Sequence, residues 1–186
     1  MKISILIPSF NNLSYLKFFL NSLKENSLFE HEIVIHVNDG SDGTLDFVQK
    51  SNFKFTHSKE NIGLCSSMNN AYKLSTSDFL LYAHDDMYFC KNWDKYLIDE
   101  INNQKSIFYY LSGTNVSTRF GLINYNCGDT LENFDENKFL KFCIDDNTPD
   151  FQSSHWAPHL IHRELWDKVG GFSEEFNPGD GSDPDL

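Results

Sequence analysis

Short apolar segments alternate with amphipathic helical segments through the first 86 residues, and this alternation restricts the fold more than any other feature of the sequence. Four apolar runs predict β-strands, at 3–7, 33–37, 53–57 and 78–83. Helical periodicity between them predicts helices, at 12–26, 44–50 and 64–75. Nearly continuous apolar strands separated by helices are typical of a parallel sheet covered on both faces. We therefore expect an α/β fold with a mainly parallel central sheet and helices on both faces.

The second half of the chain carries a weaker signal. Helical periodicity returns at 92–103, 131–144 and 163–169, an apolar run at 107–111 predicts another strand, and 113–130 shows no consistent period. The 186 residues are enough for one well-buried domain and give no reason to expect two. Since neither an internal repeat nor a low-complexity linker divides the sequence, we expect a single domain.

The chain is strongly acidic, with 27 Asp and Glu residues against 15 Lys and Arg residues and a formal charge of −12. Such a surface repels a phosphate backbone, so we expect no nucleic-acid partner. The same charge opposes the binding of a small anionic substrate, unless a bound divalent cation neutralises it locally.

Cysteine spacing and hydropathy indicate the compartment. The four cysteines lie far apart and form no CxxC pair: Cys65, Cys90, Cys127 and Cys143. This spacing argues against a zinc site or a disulfide framework and favours free thiols in a reducing cytoplasm. No run of about 18 apolar residues is present, so we expect no transmembrane segment. The first residues lack the basic leader and long apolar stretch of a signal peptide and are better explained as a buried strand.

Polar or glycine-rich loops follow each of the four strands of the first half, at 8–12, 38–44, 59–63 and 84–86. Right-handed crossovers place all strand-to-helix loops of a parallel sheet at the same edge. Open parallel sheets bind ligands at that carboxyl edge. We therefore expect these four loops to converge on one ligand-binding rim.

Asp85 and Asp86 form an acidic pair at the end of a buried strand. Adjacent carboxylates repel each other unless a cation or a basic group compensates their charge. Mg²⁺ and Mn²⁺ take oxygen ligands, often one or two carboxylates together with substrate phosphates. The pair is therefore a candidate metal site, and a solvated loop or a helix N-cap is an equally simple explanation.

Other candidate residues are open to two interpretations. Asp39 lies beside Gly40, where the backbone can approach a ligand closely, but Asx and Gly residues also form turns without a ligand. Asn61 and Gly63 carry the same ambiguity. Asp183 is a candidate general base or simply part of an acidic tail that also contains Asp185.

The histidines are interpreted as structural residues. Residues His155, His159 and His162 have a spacing that fits a strand with a short loop better than one metal-binding face. His84 adjoins the acidic pair, but its neighbourhood alone does not assign it to a metal or a phosphate.

Several short motifs occur in a defined order along the chain: residues 5–11, 37–44, 61–63 with Asn69, 81–86, 170–172 and 181–186. In this order and spacing the series resembles the family 2 glycosyltransferases, which share the GT-A fold. The resemblance covers nearly the whole chain and implies an inverting transfer of a sugar from a nucleoside-diphosphate donor, a UDP-sugar, to an acceptor hydroxyl. The implied acceptor is a carbohydrate or a lipid-linked sugar.

The resemblance also implies roles for particular residues. The implied nucleotide-sugar contacts are Pro8, Phe10, Asn11, Asp39, Asn61, Gly63 and Asp85. Asp85 and Asp86 would hold a divalent cation, Mn²⁺ or Mg²⁺, and Asp183 would act as the general base. Residues 1–112 then form the nucleotide-sugar-binding half of one GT-A domain over 1–186, and residues 113–186 form the acceptor-side half.

The sequence departs from the family pattern in four places. Asn38 replaces the first Asp of the nucleoside motif, Ala83 the first Asp of the metal motif, Ser182 a Glu, and Met68 a common Arg. The chain also stops inside the acceptor motif. We therefore expect a fragment, truncated at its C-terminus, of a cytoplasmic protein that is peripheral to a membrane through missing regions or partners.

Two other functions remain open at this point. A nucleotidyltransferase of similar fold is disfavoured, because such enzymes need a basic, Gly-rich loop after the first strand and residues 9–12 contain no basic residue. A non-catalytic carbohydrate- or partner-binding domain derived from a transferase is the alternative to an enzyme, and the altered metal motif and the missing C-terminal region support it.

Overall fold

The protein is described by a computed structural model over residues 1–119, 121–145 and 157–179. In chain order its elements are β1 (Ile3–Phe10), α1 (Leu13–Asn26), β2 (Glu32–Asn38), α2 (Thr44–Gln49), β3 (Lys54–Ser58), α3 (Leu64–Tyr72), β4 (Phe79–Tyr82), α4 (Trp93–Asn103), β5 (Tyr110–Ser112), β6 (Val116–Ser117), β7 (Ile123–Asn124), α5 (Glu136–Asp145), β8 (His159–His162) and α6 (Arg163–Val169), followed by a 3₁₀ turn (Glu174–Phe176).

Six strands form the central sheet in the order β3-β2-β1-β4-β8-β5, and β6 and β7 pair separately. Strands β1 to β4 are parallel to one another, whereas β8 is inserted antiparallel between β4 and β5. The sheet is therefore mainly parallel, which confirms the fold class that the alternating pattern predicts.

The core lies on both faces of this sheet. Side chains alternate along β1, so Ile5 and Ile7 join the cluster that includes Phe19 of α1, while Leu6 joins the opposite cluster with Met68 of α3. All five side chains are fully buried. Burial on both faces explains why the strands read as continuous apolar runs.

Strand β1 continues past Pro8, where the sequence predicts a stop. Its pairing with β4 ends at Leu6, whereas its pairing with β2 continues to Phe10. Pro8 therefore lies where one side of β1 is unpaired, and a missing N–H is tolerated at such a position.

Two predicted helices differ from the observed ones by more than one residue at one end. Helix α3 ends at Tyr72 instead of residue 75, and α5 begins at Glu136 instead of residue 131. The later start of α5 has a local cause, because Asp135 accepts a hydrogen bond from the backbone N–H of Lys138 at 2.9 Å and so caps the helix. Among the described residues, no helix is long and apolar enough to cross a membrane.

Glu32 forms hydrogen bonds with several neighbouring segments at the amino-terminal edge of the sheet. Its carboxylate accepts hydrogen bonds from Lys54 Nζ at 2.6 Å, from the backbone N–H and the hydroxyl of Thr76 at 2.7 and 2.8 Å, and from Ser4 Oγ. Burial alone would raise the pKa of Glu32, but the hydrogen bonds from Lys54, Ser4 and Thr76 outweigh it and lower the pKa to about 2.

We expect Glu32→Gln to destabilise the fold at pH 7 by roughly 1–3 kcal/mol, because Lys54, Thr76 and the buried Ser4 lose an ionised hydrogen-bond acceptor. A lowered pKa contributes stability that is present above the unfolded-state value of 4.5 and is lost as the pH falls toward 2. The gap between wild type and variant, measured by urea unfolding at several pH values, should therefore close in acid. Glu30→Gln, at an exposed position, is the matched control and should be neutral throughout. A gap that persists at pH 2 would contradict this assignment.

Candidate functional site

The loop between β1 and α1 connects two acidic side chains that lie far apart in the sequence. Asn11 Nδ2 donates a hydrogen bond to Asp39 Oδ2 at 2.9 Å, and Asn12 Nδ2 donates one to Asp85 Oδ1 at 3.0 Å. Asp39 follows β2 and Asp85 follows β4, and both of these strands flank β1. The carboxyl ends of the three central strands therefore meet at one edge, as the topology predicts.

Asp39 is held in a strained, open turn. Its backbone has a φ of 59°, and its carboxylate also accepts hydrogen bonds from the backbone N–H and the hydroxyl of Ser41, both at 3.2 Å. The hydrogen bond from Asn11, supported by those from Ser41, lowers the pKa of Asp39. The carboxylate is thus kept ionised on the accessible side of the rim.

Gly40 makes the close approach of this turn possible. Its backbone N–H donates to Asn11 Oδ1 at 3.0 Å, and its φ is +80°. A Cβ at this position would lie 2.7 Å from a side-chain carbon of Val37 and 2.8 Å from Leu45 Cβ. Only glycine fits, because the turn needs both a left-handed backbone and the missing Cβ.

Asp85 is almost completely buried, with 8% of its surface exposed. Ser9 Oγ donates to its Oδ2 at 2.6 Å, so one carboxylate oxygen accepts a hydrogen bond from the end of β1 and the other accepts one from Asn12 in the β1–α1 loop. Burial raises the pKa of Asp85, and the charge of Asp86 adds to this rise, against the opposing effect of the two hydrogen bonds. A positive charge at this place would therefore stabilise the ionised carboxylate.

The oxygen atoms at this edge fit a hard divalent cation. A carboxylate oxygen has two lone pairs, so each oxygen of Asp85 keeps one after its hydrogen bond. Asp86 is exposed beside it. No group of three or more His, Cys, Asp and Glu side chains in the described part of the chain could hold a metal alone. This donor set suits an ion that is completed by substrate oxygens, as is common for Mg²⁺.

Asn38 is a buried residue that the sequence marks only as a departure from the family pattern. Its Nδ2 donates to Ser67 Oγ at 2.9 Å, and its Oδ1 accepts from Ser58 Oγ and from the backbone N–H of Ile62, both at 3.0 Å. With 3% exposure it connects the end of β2 to β3, to the 59–63 loop and to α3. Asn38 therefore has a structural role, because it joins the elements that support the rim.

Asn61 and Gly63 have contacts that are explained by turn geometry and packing. Asn61 Oδ1 accepts from the backbone N–H of Gly63 at 3.0 Å, and Gly63 has a φ of +85°. A Cβ on Gly63 would lie 2.3 Å from Asn177 Oδ1, so the glycine makes room for another part of the chain. The ligand contacts suggested for these two residues remain predictions.

The residues predicted as contacts in the 5–11 motif differ in their exposure. Phe10, 49% exposed, ends β1 at the rim, while Pro8 lies half-buried within the strand. Neither Asn11 nor Asn12 caps the start of α1 with its side chain, since both side chains bind carboxylates of other loops. Asn12 precedes the helix without a side-chain capping bond, and the first helical N–H, of Leu13, donates to Asp42 Oδ2 at 2.8 Å instead.

The histidines have identifiable neighbours. His84 is bonded to the Tyr82 hydroxyl, and His162 accepts from the backbone N–H of Glu164 at 3.2 Å at the start of α6. His159 is buried in β8. The predicted general base Asp183, with Ser182, Asp185 and His155, lies outside the described residues.

Ser9, Asn12 and Asn38 are the site residues that sequence reasoning missed. Each is a polar residue at or just after the end of an apolar strand, and Asn38 is also marked as a departure from the family pattern. Their contacts are more than 19 residues away along the chain, so periodicity within one segment cannot identify them.

Comparison with known proteins extends these observations. An uncharacterized glycosyltransferase, YfnE of Bacillus subtilis (strain 168), is 32% identical over 97 residues, which make up 50% of this chain and 25% of that protein. Among solved structures, S. aureus TarS 1–349 in complex with UDP matches with a TM-score of 0.69 at 22% identity, over 97% of this chain and 52% of that one. The mannosyltransferase PcManGT from Pyrobaculum calidifontis, in complex with GDP-Man and Mn²⁺, matches with a TM-score of 0.61 at 17% identity, over 98% and 49%.

This chain thus spans about half of those solved chains and a quarter of YfnE. The family model described as Glycosyl transferase family 2 matches residues 4–158, which is most of the chain. That match includes the four strands whose loops form the rim, and the solved structures share their arrangement. The chain therefore has the GT-A fold and belongs to glycosyl transferase family 2.

Proposed function

We propose that this chain is the donor-binding part of a metal-dependent, inverting glycosyltransferase that uses a UDP-sugar. The observation that carries this proposal is the joint anchoring of Asp39 and Asp85 by the neighbouring residues Asn11 and Asn12. One loop is thereby bonded to both a partly exposed carboxylate and a buried one. A nucleoside diphosphate has two parts, a base and a pyrophosphate, that suit such an arrangement.

Asp39 is the proposed nucleoside contact. An ionised carboxylate only accepts hydrogen bonds, and uracil carries an N–H donor on its pairing edge. Since the hydrogen bond from Asn11 keeps the pKa of Asp39 low, the acceptor is available at every physiological pH. Phe10, the last residue of β1, and Asn61, in the 59–63 loop, are the proposed flanking contacts, together with Pro8 of β1 and Gly63 of that loop.

Asp85 and Asp86 are the proposed ligands of Mn²⁺ or Mg²⁺. The cation would act as a Lewis acid that stabilises the charge of the departing diphosphate. The raised pKa of Asp85 supports this role, because a buried carboxylate with a like-charged neighbour gains most from a cation. The complexes of TarS with UDP and UDP-GlcNAc, and of PcManGT with GDP-Man and Mn²⁺, involve ligands of the same classes.

The acceptor side is proposed to supply the base. Asp183 would take the proton from the acceptor hydroxyl as that oxygen attacks the anomeric carbon, and the nucleoside diphosphate would leave from the opposite face. A carbohydrate or a lipid-linked sugar presents such a hydroxyl.

Asp85→Asn should weaken donor binding only when the metal is present. We expect UDP affinity in Mn²⁺ to fall roughly 10- to 100-fold, since a charged ligand is lost, and affinity in EDTA to stay at the wild-type value. Isothermal titration with UDP in both buffers measures this, with Asp99→Asn, an exposed residue paired to Lys95, as control.

The same variant should fold normally. A raised pKa means that folding penalises the ionised form of Asp85, so wild-type stability falls as the pH rises through its titration, and the amide does not carry that penalty. Equal loss of UDP affinity with and without Mn²⁺ would refute the metal assignment.

Asp39→Ala should weaken the binding of uridine nucleotides by roughly tenfold or more, because the base loses a charged hydrogen-bond acceptor. Unlike the effect at position 85, this loss should be the same for UMP and UDP and independent of Mn²⁺. Competition binding with UMP, UDP and inorganic pyrophosphate separates the two sites. Retained UMP affinity in Asp39→Ala would place the base elsewhere.

Transfer from a panel of UDP- and GDP-sugars in Mn²⁺ tests the activity itself. Asp183→Asn should lower the transfer rate by about 10²–10⁴-fold and leave UDP affinity unchanged, because a general base acts only on the chemical step. Donor binding without transfer or hydrolysis of any sugar, in the protein with its full acceptor region, would favour a non-catalytic binding domain.

A further inference from the structure

Helix α3 lies between the donor rim and the segment that leads to the acceptor motif. Its N-terminal end follows the 59–63 loop of the donor rim, and its outer face carries residues 171–179, which lead toward the acceptor motif. We call the hydrogen bonds that Asn69 and Asn177 make between α3 and residues 171–179 the α3 latch.

Asn69 binds the backbone of Phe172 in both directions. Its Nδ2 donates to the carbonyl of Phe172 at 2.9 Å, and its Oδ1 accepts from the N–H of Phe172 at 3.1 Å. The same Nδ2 lies 3.1 Å from Glu174 Oε1. A side-chain amide pairs with a backbone amide in this way because it carries a donor and an acceptor side by side.

The glycine before Phe172 is required by this pairing. Gly171 has a φ of +75°, and a Cβ there would lie 2.7 Å from Asn69 Oδ1 and 3.1 Å from the ring of Trp166. The sequence motif at 170–172 therefore packs against Asn69 and is hydrogen-bonded to it, although the two are far apart in the sequence.

Asn177 forms the second point of the latch. Its Nδ2 donates to Ser66 Oγ at 2.8 Å, and the carbonyl of the next residue, Pro178, accepts from the backbone N–H of Leu64 at 2.9 Å. Its side chain occupies the space that Gly63 leaves open. The first turn of α3 is thus bound directly to residues 177 and 178.

The first turn of α3 is also hydrogen-bonded to the donor rim. Ser67 receives a hydrogen bond from Asn38 at the end of β2, and Asn38 also accepts from the N–H of Ile62. Residues 61–67 are therefore connected on one side to the donor rim and on the other to residues 171–179. A displacement of either contact would be transmitted through one short stretch of helix.

We propose that Asn69 is a positioning residue for sugar transfer, which fixes the acceptor-side segment 171–179 against the donor rim through the α3 latch. The proposal rests on the proposed function, since it assigns residues 171–179 to the acceptor side. Asn69 touches neither donor nor acceptor in this role. Its loss should change the rate of transfer and leave the affinity for the nucleotide intact.

Asn69→Ala is the test, with Asn70→Ala as the matched control. Asn70 is the next residue of the same helix, and its side chain accepts only a hydrogen bond from Lys73 Nζ among the interactions described. Phe172 remains packed between Tyr82 and Trp166, with ring centroids 5.3 and 5.6 Å away, so the variant should fold.

In Asn69→Ala we expect the Phe172 amide to exchange its hydrogen at least roughly tenfold faster, because that N–H loses its acceptor. We expect kcat to fall roughly 10- to 100-fold through misplacement, with UDP affinity within about twofold of wild type. Asn70→Ala should match wild type in all three measurements.

Unchanged exchange at Phe172, an unchanged kcat, or a parallel loss of UDP affinity and kcat would each overturn the proposal. Should Asn69→Ala fail to fold, Asn177→Ala, which removes the second point of the latch, is measured for kcat and UDP affinity and judged by those two outcomes. Wild-type protein that binds no UDP would instead defeat the proposed function, while the amide exchange would still decide whether the latch holds the segment.

Discussion

Hydrogen bonds from two neighbouring asparagines connect the loop after β1 to the acidic side chains of the adjacent strands. Asn11 binds Asp39, and Asn12 binds Asp85. The two carboxylates belong to separate loops, and these bonds connect both of them to the same turn. The sheet brings the loops to one edge, and the side-chain amides then set the distance between the two carboxylates.

The strands of the first half were predictable because their physical signal is local. Segments such as 33–37 are apolar on both faces, and a strand covered by helices on both sides needs that composition. The right-handed crossover rule then brings Asp39 and Asp85 to the same edge. The place of β8 was not predictable in this way, because four residues of sequence do not show which strands they will join.

The sequence predicted which loops meet at the rim, but not which hydrogen bonds connect them. Asn12 illustrates the limit, since a polar residue before a helix usually caps it, yet here its side chain binds Asp85 and Asp42 binds the helical N–H instead. Gly63 illustrates another limit, because its positive φ was a reasonable expectation but the Asn177 side chain that fills the space beside it is 114 residues away. Such long-range contacts are set by packing, which single-segment patterns do not contain.

Asn38 has a consequence for how sequences of this family can vary. Its amide donates to Ser67 Oγ, and that hydroxyl in turn donates to the carbonyl of Gly63. An aspartate at position 38 would present an acceptor to the Ser67 oxygen, so the hydroxyl would have to turn from the Gly63 carbonyl to the carboxylate. A change to aspartate at position 38 would therefore exchange the hydrogen bond from Ser67 to the Gly63 carbonyl for one from Ser67 to the new carboxylate.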